Sequence, residues 1–163
     1  AGRKFIILYL GWQVENTSLD WADKILRKYS DRQAIIAVHA YINPRGGYIY
    51  QAQDIMDNVV KQNENVFMVL CGHYPGAMAN VKKINGRTVY EVLSDYQALP
   101  DGGSGYMRLL HFDARNNLVY MNTYSPYLDK YNYYETDKEQ FIMPVMSEKG
   151  EISLSTDYIG IEN

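Results

Sequence analysis

Val66-Phe67-Met68-Val69-Leu70-Cys71-Gly72-His73 decides the reading of this chain. Six apolar residues run without a polar interruption, too few for a helix, and a glycine and a histidine follow at once. A continuous short apolar run is what a strand covered on both faces looks like, and such strands belong to parallel sheets. The same grammar occurs upstream: Ala34 to Val38 is apolar throughout, is bounded by Asp31 and Asn43, and ends directly on His39. A third run, Phe5 to Leu10, opens the chain.

Helix-period segments separate these runs. From Thr17 to about Ser30, Ala22, Ile25, Leu26 and Tyr29 fall on one face, and Thr17 with Asp20 resembles a capping box. From about Tyr48 to Lys61, Ile49, Ala52, Met56, Val59 and Val60 make a second stripe. Strand, helix, strand, helix, strand predicts right-handed crossovers, with the three strands side by side and pointing the same way.

From Ala79 onward the pattern turns antiparallel. Val81 to Ile84 and Thr88 to Leu93 flank Asn85-Gly86, a strong hairpin signal. Tyr106 to Phe112 and Leu118 to Tyr124 flank a polar turn and make a second hairpin, with the glycine-rich loop Pro100 to Gly105 between the two. Gln140 to Met146 and Ile152 to Ser155 offer a third pairing across Glu148-Lys149-Gly150. The fold class expected is α/β, a layered α/β sandwich, in a single domain spanning all 163 residues.

Composition narrows the partners. A net charge of -3 with interspersed signs supplies no basic face for nucleic acid, and no apolar run approaches the roughly 20 residues that cross a bilayer as a helix. Membrane insertion and nucleic-acid binding are therefore not expected. One cysteine, Cys71, permits no internal disulfide and sits in an apolar run, so it reads as core. The 16 tyrosines fit either strand packing or a surface that stacks on sugars, and packing is the favoured reading. The chain begins without Met and almost at once on a strand, which leads us to expect a truncated domain with an unpaired sheet edge at Phe5 to Leu10 and a homodimer through that edge.

In an open parallel sheet, ligands gather at the carboxyl ends of the strands. That rule selects His39 and His73. On adjacent strands about 4.8 Å apart, two terminal histidines can share a metal ion. Gly72 is expected to let the backbone leave the strand sharply, and Gly76 to allow positive φ beyond it. His111 lies within a hairpin strand, where a cross-strand role is favoured over ligation. Asp95 reads as a turn aspartate. Arg45, in Pro44-Arg45-Gly46-Gly47 after His39, and Arg108 are candidates for phosphate contact, Arg45 the better one. Neither a Gly-x-Ser-x-Gly elbow, a P-loop nor a dinucleotide fingerprint occurs.

Val38-His39-Ala40-Tyr41, then a helix, then Asn65 to His73, resembles the C-terminal half of a calcineurin-like metallophosphoesterase. The resemblance continues through Leu93-Ser94-Asp95-Tyr96-Gln97, Gly102 to Arg108 and Thr123-Tyr124-Ser125-Pro126, which resemble the bacterial, often cell-surface branch. It implies hydrolysis of a phosphoester substrate at a two-metal centre of Mn, Fe or Zn, with His39 and His73 on the second metal. Arg45 and Tyr74 are the substrate-binding candidates read from the residues themselves. It also implies an extracellular or cell-surface location. Two departures stand out: Pro75 occupies the place of a further histidine ligand, and the family's N-terminal motifs, which carry the remaining ligands and the catalytic histidine, do not occur. The expectation is a phosphoesterase part, inactive alone for want of the N-terminal half. The alternative is a catalytically degenerate module binding glycans or proteins.

Overall fold

A computed structural model describes residues 3–131 and the backbone of residues 153–155. The protein is mixed α/β, with a mainly parallel five-stranded sheet and a second, mainly antiparallel sheet. The residues divide into two compact units at Asp95/Tyr96.

In the first unit, β1 (Phe5–Leu10), β2 (Gln33–Val38) and β3 (Val66–Cys71) pair in parallel in chain order. These are the three apolar runs of the sequence. The hairpin strands β4 (Gly76–Ile84) and β5 (Arg87–Asp95) complete the sheet in the order β1-β2-β3-β5-β4. It is β5, the later strand, that lies parallel to β3, with Met68 opposite Tyr90 and Cys71 opposite Leu93. β4 is antiparallel to β5 and begins at Gly76, five residues before the Val81 expected from sequence, because the residues from Gly76 to Asn80 pair with Asp95 back to Glu91. The Asn85-Gly86 turn carries φ of 50° and 82°, the left-handed pair that a tight hairpin needs.

α1 (Asn16–Lys28) buries Leu19, Ala22 and Leu26. The capping box is not formed. Glu15 is the N-cap and no side chain caps the helix, since the chain enters the helix two residues earlier and leaves Thr17 inside the first turn. Arg27 and Lys28 sit in the last turn, where cations favour the carbonyl end of the dipole.

The second helical segment starts at Ala52, not Tyr48. Backbone contacts Ile42 to Tyr48 and Ile49 N to Tyr41 O hold the earlier residues as a returning loop. α2 (Ala52–Ile55) passes into a π-helical turn, Met56–Val60, closed by Lys61 N to Met56 O at 2.9 Å. The wider turn keeps Met56, Val59 and Val60 all buried.

One contiguous core joins Leu8, Leu10, Ile36, Val38, Val69, Cys71 and Leu93 of the sheet to Leu26, Ile55 and Val59 of the helices. Shortening Leu26, fully buried, to alanine is expected to cost about 2 to 5 kcal/mol. The ion pairs Lys4–Asp31 and Lys61–Asp57 have side chains 44% or more exposed, and such pairs contribute about 1 kcal/mol at most. Packing decides the stability of this unit.

In the second unit, β6 (Met107–Asp113) and β7 (Leu118–Ser125) form the expected hairpin. β7 also pairs with β8 (Lys130–Tyr131), antiparallel, and β9 (Ser153–Ser155), parallel. The Gln140 to Met146 half of the expected third hairpin lies outside the described residues. Asp101 to Ser104 and Gly105 hold positive φ at five successive positions, so the Pro100–Gly105 segment turns without regular structure. Tyr96 is buried under this unit's sheet, its hydroxyl 3.0 Å from Thr123 Oγ1 and accepting from Arg108 Nε at 3.1 Å.

A candidate histidine and aromatic site

β2 and β3 remain in register past their last residues, since Gly72 N donates to the carbonyl of His39 at 3.1 Å. The two histidines therefore leave neighbouring strands side by side at the carboxyl edge. His39 Nε2 lies 2.9 Å from His73 Nδ1. At that distance the nitrogens share a proton, one donating and the other accepting.

His73, and not Gly72, makes the turn out of the strand. Its φ is 73°, and Tyr74 N donates to Gly72 O at 3.0 Å across it. This is the positive-φ form of the γ-turn, rare and strained for a residue with a Cβ. The turn aims the imidazole at His39. Gly76 does hold positive φ, 141°, as expected.

Rings close around the pair. The Trp12 ring centroid stands 4.9 Å from that of His39, 4.8 Å from that of His73 and 4.9 Å from that of Tyr50. Tyr50 Oη is 3.3 Å from His73 Nε2, and the Tyr74 ring meets His73 edge-on at 5.1 Å. The Tyr74 hydroxyl bonded to Tyr50 raises the pKa of Tyr50 above the ordinary tyrosine value. Both imidazoles thus sit in an aromatic rim.

The donor set accommodates part of a metal shell. Two nitrogens each about 2.05 Å from one ion in a tetrahedral shell stand about 3.3 Å apart, so the 2.9 Å pair needs to open by only a few tenths of an ångström to share one. Among the described residues no group of three or more His, Cys, Asp or Glu side chains is placed to hold a metal, so the chain's described residues fit two positions only.

Arg45 is exposed at the tip of the 43–47 turn, where Asn43 Oδ1 accepts Arg45 N at 2.8 Å and Gly47 N at 3.2 Å. Asp95 is the last residue of β5, paired with Gly76, and its carboxylate lies beside Gly72, where a Cβ would stand 3.7 Å from Asp95 Oδ2 and 3.9 Å from His39 O. Arg108 belongs to the second unit, bonded to Tyr96. His111 has the cross-strand role expected, its ring edge-on to Tyr120 at 6.1 Å. Cys71 is buried and burial pushes its thiol up to about 11, the condition of a packed and unreactive cysteine.

Sequence reasoning missed Trp12 and Tyr50. Trp12 was within reach of the rule that found the histidines, as it follows β1 with only Gly11 between. Tyr50 was hidden by its assignment to a helix that in fact starts two residues later.

No family model matches the chain, and no solved structure matches it. It is 40% identical over 163 residues to the uncharacterized protein YvnB of Bacillus subtilis (strain 168), a match covering 96% of this chain. The chain spans 12% of that relative's length.

Proposed function

We propose that this chain is part of a metal-dependent phosphoesterase, with His39 and His73 as ligands of one ion of a two-metal centre and the remaining ligands supplied from outside the described residues. The finer architecture proposed is the layered α/β sandwich of a calcineurin-like metallophosphoesterase, of which this chain is the C-terminal half. The observation that carries the reading is the 2.9 Å approach of His39 Nε2 to His73 Nδ1 at the carboxyl ends of adjacent parallel strands. Divalent ions at such a centre neutralise charge on phosphoryl oxygens and activate water. The chain's own part is positional: the γ-turn at His73 fixes one imidazole, the strand end fixes the other, and Trp12 packs against both. Tyr74, exposed and edge-on to His73, is the proposed substrate contact, and an extracellular or cell-surface setting is proposed with the family.

Calorimetric titration of the chain with Mn and Zn tests the reading. We expect one weak site, as two imidazoles alone provide, abolished in both His39→Ala and His73→Ala. Metal affinity unchanged in either variant overturns it.

A further inference from the structure

Trp12, Tyr50 and Tyr74 are 45%, 56% and 37% exposed, large rings left in water at one edge of the sheet. A soluble fold has no packing reason to gather such rings in the open. Their backbone is costly as well. Gln13, next to Trp12, has φ 55°, Tyr50 itself has φ 49°, and His73 has φ 73°. Among the described residues of the first unit, the one other non-glycine residue with positive φ is Asn85, in its hairpin turn. Strain held at three segments that converge on one cluster marks a site whose side chains are being presented.

The ring geometry selects the ligand. Trp12 meets His39 at 88° and Tyr50 at 68°, and His73 meets Tyr74 at 88°. Edge-on packing leaves no slot between parallel faces into which a flat base slides. It leaves an uneven platform of exposed ring surface from Trp12, Tyr50 and Tyr74, edged by polar groups that also bond one another, Tyr50 Oη to His73 Nε2 at 3.3 Å among them. A pyranose suits the platform, with its axial C–H bonds on the ring faces and its hydroxyls reaching the polar edge.

We propose that Trp12, Tyr50 and Tyr74 form a stacking subsite for a sugar ring, so that the phosphoester taken by this site is a sugar phosphoester. Its meaning for catalysis rests on the phosphoesterase reading; the stacking contact needs no metal.

The test uses the 163-residue chain in metal-free buffer with Trp21→Phe as background, so that Trp12 is the sole indole reporter. Methyl pyranosides of glucose, N-acetylglucosamine, galactose and mannose are titrated against its fluorescence and against saturation-transfer NMR. At least one glycoside is expected to bind saturably. Trp12→Ala and Tyr50→Ala should each weaken it about tenfold or more, while Trp12→Phe keeps most of the affinity, all with unchanged circular dichroism. No glycoside binding, binding indifferent to Trp12→Ala and Tyr50→Ala, or preferential binding of AMP or tetramethylammonium overturns the subsite. Glycoside binding together with metal affinity indifferent to His39→Ala would overturn the phosphoesterase reading and leave the sugar subsite standing; metal binding without glycoside binding does the reverse.

Discussion

Tyr48 donates its hydroxyl to Glu91 Oε1 across 2.6 Å, and Glu91 is completely buried in the middle of β5. Asn80 Nδ2 donates to the other carboxylate oxygen at 2.9 Å and to Gly46 O at the same distance. A buried carboxylate thereby anchors the loop that follows His39, and neutral donors satisfy it. Gly46 is part of the arrangement: its φ is 78°, and a Cβ there would collide with the Asn80 amide. Tyr48→Phe removes one donor from a buried acceptor and should cost about 1 to 3 kcal/mol in urea unfolding. A loss below experimental error would mean that water or a rearranged neighbour replaces the hydroxyl.

The same pair sets an alkaline limit. Burial, and then the bond to Glu91, raise the Tyr48 pKa above its ordinary value of 10.0, and burial does the same for Tyr41. A raised folded-state pKa gives stability that is whole below the unfolded value and is lost as pH rises toward the folded one. Stability should therefore fall from about pH 10 upward, less steeply in Tyr48→Phe. Denaturant midpoints measured at pH 8, 10 and 11 check this; identical slopes for both proteins would remove Tyr48 from the explanation.

The γ-turn at His73 predicts a side-chain order that burial alone does not. Asparagine tolerates the left-handed region, whereas a β-branched residue does not. His73→Asn should be more stable than His73→Val by about 1 to 2 kcal/mol. Equal thermal midpoints would indicate that the turn relaxes.

Catalysis by the chain alone is not expected. Among the described residues His39 and His73 alone converge, and two imidazoles do not clamp two ions at about 3.5 to 4 Å. Purified chain with Mn, Fe or Zn should leave an aryl phosphate unhydrolysed. Metal-dependent turnover that disappears in His73→Ala would refute this.

Strand β1 pairs with β2 along one edge and has no second neighbour among the described residues, while its Ile7 and Tyr9 are 47% and 74% exposed. An open apolar edge favours pairing with a second copy. Solution scattering should show a dimer at high concentration that Tyr9→Lys weakens. A monomer throughout the concentration series removes the prediction.

Much of the first unit was legible because its strands are apolar at nearly every position, β2 and β3 buried on both faces and β1 on one. Phe5 to Leu10 and Val66 to Cys71 are strands with the bounds read from sequence, and a run apolar at every position admits few other readings. The histidines were legible for a related reason, since position at a strand end follows directly from the run before it. What failed was governed by contacts distant in sequence. The start of α2 depends on the loop returning to Tyr41, and the start of β4 on pairing with Asp95, neither of which leaves a local mark. The strain at His73 was attributed to Gly72 because glycine is the usual carrier of positive φ; here the imidazole occupies the strained position itself.

The strand order β3-β5-β4 has a consequence for how the chain reaches its fold. The β4–β5 hairpin closes across two residues and is able to form in about 1 to 10 μs without the rest of the chain. It joins the parallel strands through its later arm, so β4 lies on the outer side of β5, away from β3. A sheet assembled from a hairpin that docks as a unit predicts that substitutions at Asn85 or Gly86 slow folding more than they speed unfolding, which stopped-flow refolding and unfolding rates check.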